Sequence, residues 1–185
     1  MATKKDKPTE SRVGRDNQRY NPETGARMVA GCICLDAAKE KLIMISSSSH
    51  PGRWVLPKGG IELDETDDFI VTAVRETWEE AGVEGKITQK LPVVLDSRGT
   101  KAPVIKGEFD PHVVVPKTEF HFYEMIVDEL STKWPESNKR DRRWCTYSEA
   151  KHELLLAKRP ELIEALNHTN ILKDTNELDA SVDDY

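Results

Sequence analysis

The 185-residue chain is poor in the features that would place it outside the ordinary globular class. Its three cysteines, Cys32, Cys34 and Cys145, are odd in number and match no zinc or redox spacing, which excludes a disulfide scaffold and leaves buried reduced thiols. No long apolar run exists, apolar residues make up 37% and mean hydropathy is -0.61, so neither a membrane span nor a signal peptide is predicted. Net positive charge is also missing. At -6 the chain is not expected to keep a stable nucleic-acid partner, although local clusters matter more than the total. These absences leave one soluble domain, predicted to be monomeric and located in the cytoplasm or nucleus.

Several of its positive charges are grouped: Arg12, Arg15, Arg19 and Arg27; Lys139, Arg140, Arg142 and Arg143; Lys151, Lys158 and Arg159. Residues 1–22 are polar and without periodicity, and read as a flexible arm ordered only from about Arg15. Residues 23–172 form the domain, and residues 173–185 an acidic, disordered tail. Met28–Leu35 and Lys41–Ile45 are apolar and fit a hairpin, followed by a short strand at Trp54–Leu56 and a Pro57-Lys58-Gly59-Gly60 turn. Strands are predicted at Lys86–Leu95, Glu119–Val127 and Trp144–Tyr147. Ser148 is expected to cap a helix, and Pro160 to open another that ends near Asn167. The segment Asp96–Thr118 is too long for an ordinary connection and reads as functional or disordered.

One helix carries chemistry. Thr66 is its expected N-cap, with Asp67 and Asp68 complementing the dipole, and Gly82 its left-handed stop. Ile70, Val74, Thr77, Trp78 and Ala81 form the predicted buried stripe, with Trp78 and Trp144 read as core. Glu76, Glu79 and Glu80 then share a face at i, i+3 and i+4 spacing. Like charges so placed destabilise a helix, which calls for a cation between them, and Mg2+ suits a pair of carboxylates completed by water and phosphate.

With Gly59, Glu65 and the run Arg75 to Val83, this helix resembles the Nudix box. Two departures are visible: the stretch from Glu65 to Arg75 is two residues longer than the family pattern, and Thr77 replaces an aliphatic residue. The resemblance implies an α/β (α+β) Nudix fold, a mixed β-sheet sandwiched between helices, and hydrolysis of an organic diphosphate. By the same resemblance Glu76, Glu80 and a carbonyl near Lys58 hold Mg2+, for which Mn2+ can substitute. Glu79 is the base, and Arg75 neutralises and positions the glutamates. Thr24–Cys32, Ser46–Trp54, Glu119–Glu124 and Ala157–Glu161 look like the fungal diphosphoinositol polyphosphate phosphohydrolases, which also cleave diadenosine polyphosphates.

A substrate loaded with phosphates needs cations from several directions. Arg19, Arg27, Ser47, Ser48, Ser49, Arg53, Gly59, Gly60, Lys117, Arg140, Arg142 and Lys158 are the residues expected to bind it. Diphosphoinositol polyphosphates, dinucleoside polyphosphates and inorganic polyphosphate are the expected substrates. The alternatives are another organic diphosphate, such as capped RNA or a nucleotide sugar, and a non-catalytic inositol phosphate sensor on the same fold.

Overall fold

The structure is a computed structural model, and it describes residues 7–65, 67–96, 100–101 and 114–175. Its central strand, β1 (Arg27–Leu35), is apolar without alternation because both of its faces are covered. Ala30, Cys32 and Cys34 point into one core, with Ile43, Ile45, Ala73, Ala81, Tyr123 and Met125. Val29, Ile33 and Leu35 point into the other, with Phe120, Phe122, Leu154, Leu162 and Leu166. All three cysteines are buried and unpaired, and burial raises the Cys32 thiol to about 12, so it is inert at neutral pH.

The elements follow as β2 (Leu42–Ser46), β3 (Trp54–Val55), β4 (Lys58–Gly60), α1 (Ile70–Ala81), β5 (Val83–Lys90) and β6 (Val94–Asp96). After them come β7 (Thr100–Lys101), β8 (Val114–Val115), β9 (Thr118–Leu130), β10 (Arg142–Cys145), α2 (Tyr147–Leu156) and α3 (Pro160–Asn167). The main sheet runs β10-β2-β1-β9-β5, with β3 on β2, β4 on β1 and β6 on β9. It is mixed: β1 and β9 are parallel, from Arg27 opposite Thr118 to Leu35 opposite Ile126, and the other described pairs are antiparallel. Helix α1 covers one face and α2 with α3 the other, which is the expected sandwich.

Several local expectations are corrected. The predicted strand Lys86–Leu95 is two strands, because Pro92 has no N–H to give the ladder and falls in the gap between them. The cap of α2 is Thr146, whose hydroxyl accepts from the Glu149 amide while the Glu149 carboxylate accepts from the Thr146 amide. Ser148 instead donates its hydroxyl to the carbonyl of Asp174 at 2.7 Å. Thr66 lies outside the described residues, and α1 begins at Ile70 with Phe69 in the N-cap position and no side-chain cap. Its first turn holds no acid; the Asp68 carboxylate accepts the Ile70 amide from just ahead of it, at 3.3 Å.

The buried face of α1 is also rotated from the predicted one. Thr77 and Ala81 are inside as expected, but Val74 is 41% exposed and Trp78 is half-buried, outside both cores. The residues buried in their place include Glu76 and Glu79. Apolar periodicity assumes that charge faces water, and here Glu76 and Glu79 are buried.

Residues 97–99, 102–113 and 176–185 lie outside the described ones, and with them most of the long loop, including His112, and most of the expected tail. The two ends of that loop that are described pair as β7 with β8.

One buried carboxylate is structural. Glu124 on β9 is fully buried and accepts from Thr88 Oγ1 at 2.7 Å, Gln89 Nε2 at 3.1 Å and the Asn170 amide at 2.7 Å, so it ties the C-terminal segment to the sheet. Burial alone would raise its pKa, but the Asn170, Thr88 and Gln89 donors outweigh burial and hold it below the ordinary value. A depressed folded pKa means that this stabilisation is complete above the unfolded value and fades as pH falls through the folded one. Glu124→Gln is therefore expected to cost about 1–3 kcal/mol at pH 7, since its amide turns a donor toward other donors. In urea unfolding the gap from wild type should narrow on acidification, and a gap independent of pH would contradict this role.

Candidate active site

The site is assembled where β4 meets α1. Strand β4 pairs with β1, Gly60 opposite Val29 and Gly59 opposite Ala30, and so lies directly under the helix. Gly59 lets the two elements approach closely, because a Cβ there would collide with the Glu76 carboxylate and displace it. Glu80 reaches the same edge, accepting from the Lys58 amide at 3.0 Å and from Arg140 Nη2 at 3.2 Å.

Arg75 uses all five of its N–H donors. Its Nε and Nη2 form a fork onto Glu65 at 3.0 and 2.9 Å, Nη2 also reaches the Gly60 carbonyl at 3.1 Å, and Nη1 is shared by Glu76 at 2.8 Å and Glu79 at 3.1 Å. The two extra residues between Glu65 and Arg75 therefore leave Glu65 in contact with its arginine. At the other end of α1, Gly82 adopts φ 63° and donates to the Trp78 carbonyl at 3.0 Å, as its position predicts. The remaining carbonyls are met by the segment after β9: the Glu136 amide bonds Glu79, Trp134 Nε1 bonds Glu80, and Arg142 Nη1 bonds Ala81.

Electrostatically the cluster is under-compensated. Burial, and after it the neighbouring Glu80, push Glu76 up to about 8 against the pull of Arg75. Burial likewise raises Glu79 and Glu80, although Arg75 opposes it at the first, and Arg140 and Lys58 at the second. Burial lowers Lys58 to about 8. Carboxylates this close and this dry stay ionised together only if more positive charge arrives. Among the described residues no group of three or more His, Cys, Asp or Glu side chains is placed to hold a metal ion. What fits is an open site with Glu76 and Glu80 as protein ligands, leaving other positions for water and phosphate, which is how Mg2+ is usually held.

Beside the glutamates is a cleft of about 780 Å3, large enough for a ligand of drug size or more. Of the residues expected to bind substrate, Arg27, Ser48, Gly59, Gly60, Lys117 and Arg140 line it, together with Lys58. Ser47, Ser49 and Arg53 line a neighbouring lobe of about 250 Å3 that shares Ser48, Lys58, Glu80, Arg140 and Arg159 with the main cleft.

Three expected residues are not brought there. Arg19 donates to the carbonyls of Glu62 and Glu65 and pairs with Asp67, so it braces the loop before α1. Arg142 lies against Trp134, 4.3 Å from the ring centroid, and donates to the carbonyls of Ala81, Gly82 and Ser131. Lys158 sits in a left-handed turn at φ 57° and lines neither cavity, whereas its neighbour Arg159 lines both. Arg159, Arg12, Arg15, Lys139 and Glu136, which are not among the residues expected to bind substrate, also line the main cleft. Pro160 is the signal that could have found the first, since a helix N1 proline fixes where the preceding turn leaves its side chains.

Fold and site together define a Nudix hydrolase. Residues 25–166 match the NUDIX domain family, and the chain belongs to it. Nudix hydrolase 16 of Arabidopsis thaliana, a mitochondrial protein, is 39% identical over 155 residues, covering 76% of this chain and 78% of that one. Human diphosphoinositol polyphosphate phosphohydrolase 3-alpha is 32% identical over 147 residues, covering 78% and 74%. Among solved structures, the Ap4A hydrolase of C. elegans superposes with a TM-score of 0.51 at 19% identity, covering 77% of this chain and 95% of that one, a likeness of fold. The family hydrolyses phosphoanhydrides and generally uses divalent metal ions. Among the described residues no helix is long and apolar enough to cross a membrane.

Proposed function

We propose that the chain is a Mg2+-dependent phosphohydrolase that removes the β-phosphate of diphosphoinositol polyphosphates, with dinucleoside polyphosphates and inorganic polyphosphate as further substrates. The observation that carries this reading is the set of cations lining the same cleft as the glutamates. Arg27, Lys58, Lys117, Lys139, Arg140 and Arg159 come from different parts of the chain and converge on one cleft. A nucleoside diphosphate needs few such contacts; a ring phosphorylated all round needs many. The similarity to the human enzyme supports the same substrate class.

In this reading Glu79 takes a proton from the attacking water, and Arg75 keeps the carboxylates ionised and oriented. Glu76 and Glu80 hold Mg2+, or Mn2+ in its place, with the Lys58 carbonyl as a third donor. The cation supplies charge neutralisation and Lewis acidity at the attacked phosphorus. The lining cations hold the remaining phosphates so that the anhydride lies in line with the water, because phosphoryl transfer depends mainly on placement and charge. The active form is taken to be a cytoplasmic monomer.

The test is phosphate release from diphosphoinositol, diadenosine polyphosphate and polyphosphate substrates side by side, with and without Mg2+. Highest kcat/KM for the inositol substrate is expected, and preference for a nucleotide sugar or capped RNA would overturn the assignment. Arg159→Ala should raise KM for the inositol substrate about tenfold through loss of one charge-assisted contact, about 1.4 kcal/mol, while Lys158→Ala leaves it nearly unchanged. The reverse ranking would return the contact to Lys158.

A further inference from the structure

The residues ahead of β1 were expected to be flexible up to about Arg15, yet residues 8–12 lie along α1 and reach the carboxylate assigned as the base. The Arg12 amide donates to Glu79 Oε1 at 3.2 Å, while Arg75 Nη1 donates to Glu79 Oε2 at 3.1 Å. One donor on each oxygen fixes the rotation of the carboxyl plane, and each oxygen keeps a second lone pair for water. Glu79 is only 1% exposed.

The segment is fastened on both sides of that contact. Upstream, Trp78 Nε1 donates to the Pro8 carbonyl at 3.0 Å, and Lys7 lies 4.7 Å from the Trp78 ring centroid while pairing with Glu84. Beside it, Ser11 Oγ donates to Glu136 Oε2 at 2.8 Å. Across the loop, Arg12 Nη1 meets both oxygens of Asp64 at 2.9 and 3.2 Å. These anchors explain why Trp78 stays outside the core: its indole holds the segment down.

We propose that residues 7–12 are a positioning strap of the active site, and that the Arg12 main-chain amide, rather than the Arg12 guanidinium, aligns Glu79 for proton abstraction. The proposal rests on Glu79 being the base. A main-chain donor suits this task, because its N–H is held by the fastened backbone and brings no second full charge beside that of Arg75. It also closes one side of the carboxylate to bulk water, which strengthens the remaining contacts.

Arg12→Pro removes the N–H, and Arg12→Ala keeps it while removing the Asp64 bridge. Arg12→Pro is expected to lower kcat about tenfold with KM changed by less than about threefold, as misalignment of a positioned group should, whereas Arg12→Ala, which keeps the N–H but takes the guanidinium from the cleft, should show its loss mainly in KM and lower kcat clearly less than Arg12→Pro does. A second readout needs no turnover. In metal-free protein, hydrogen exchange at the Arg12 amide should be slow in the wild type and faster in Trp78→Phe, which loses the Pro8 anchor. Wild-type kcat in Arg12→Pro, equal losses of kcat in the two Arg12 variants, or exchange at the rate of a free amide in the wild type would each overturn the strap. Glu79→Gln measured in parallel separates the two claims: normal turnover there removes the base assignment, while the exchange result still reports whether the strap is docked.

Discussion

Glu79→Gln is expected to lower kcat by about two to four orders of magnitude, the usual contribution of a positioned general base. The amide is close in shape but cannot take a proton from water. Both of the carboxylate's partners are donors, the Arg12 amide and Arg75 Nη1, so glutamine can satisfy one of them only with its oxygen. A stability loss of about 1–3 kcal/mol should accompany the kinetic one, because an unmatched donor remains in a dry site. Glu76 and Glu80 are untouched, so Mg2+ affinity by calorimetry and KM should change little. Turnover within about tenfold of wild type would assign the proton transfer to another group.

The second large effect concerns folding. Arg75→Ala removes five hydrogen bonds at once and leaves Glu65, Glu76 and Glu79 buried without their shared cation. Breaking a buried ion pair from one side costs about 3–5 kcal/mol, so chemical unfolding should show a loss of at least that size at neutral pH. Arg75→Lys should recover only part of it. An ammonium has three donors and no planar fork, and the Glu65 contact is bidentate. Added Mg2+ should restore stability to Arg75→Ala more than to the wild type, since a ligand that binds only the folded state shifts the balance by mass action. A loss below about 1 kcal/mol would mean that the carboxylates relax into water instead.

What could be read in advance was local. The i, i+3, i+4 spacing that places Glu76, Glu79 and Glu80 together holds in any helix, and Gly82 marks its end for a reason confined to one residue. Strand β1 was legible as an unbroken apolar run. The Thr146 cap is readable too, because Glu149 stands three residues after it; Ser148 lies inside the helix. The placements that no local pattern foretells depend on distant partners. Arg142 and Arg140 look alike in the chain, yet the first is drawn under the end of α1 by carbonyls that need donors and the second reaches Glu80. Lys158 and Arg159 differ by one residue of turn geometry, and that residue decides which cation enters the cleft. Val74 and Trp78 were placed inside because charge was assumed to face water.

The sequence by itself carried the family, through its resemblance to the Nudix box, and with it the sheet between helices; the shared face of Glu76, Glu79 and Glu80 follows from spacing within one helix. The tertiary structure decided which cations line the cleft with the glutamates, which of them support the scaffold, and where the N-terminal residues lie. Those choices depend on burial and on hydrogen-bond partners many residues away, such as the Arg12 amide and Glu79, which share no local pattern.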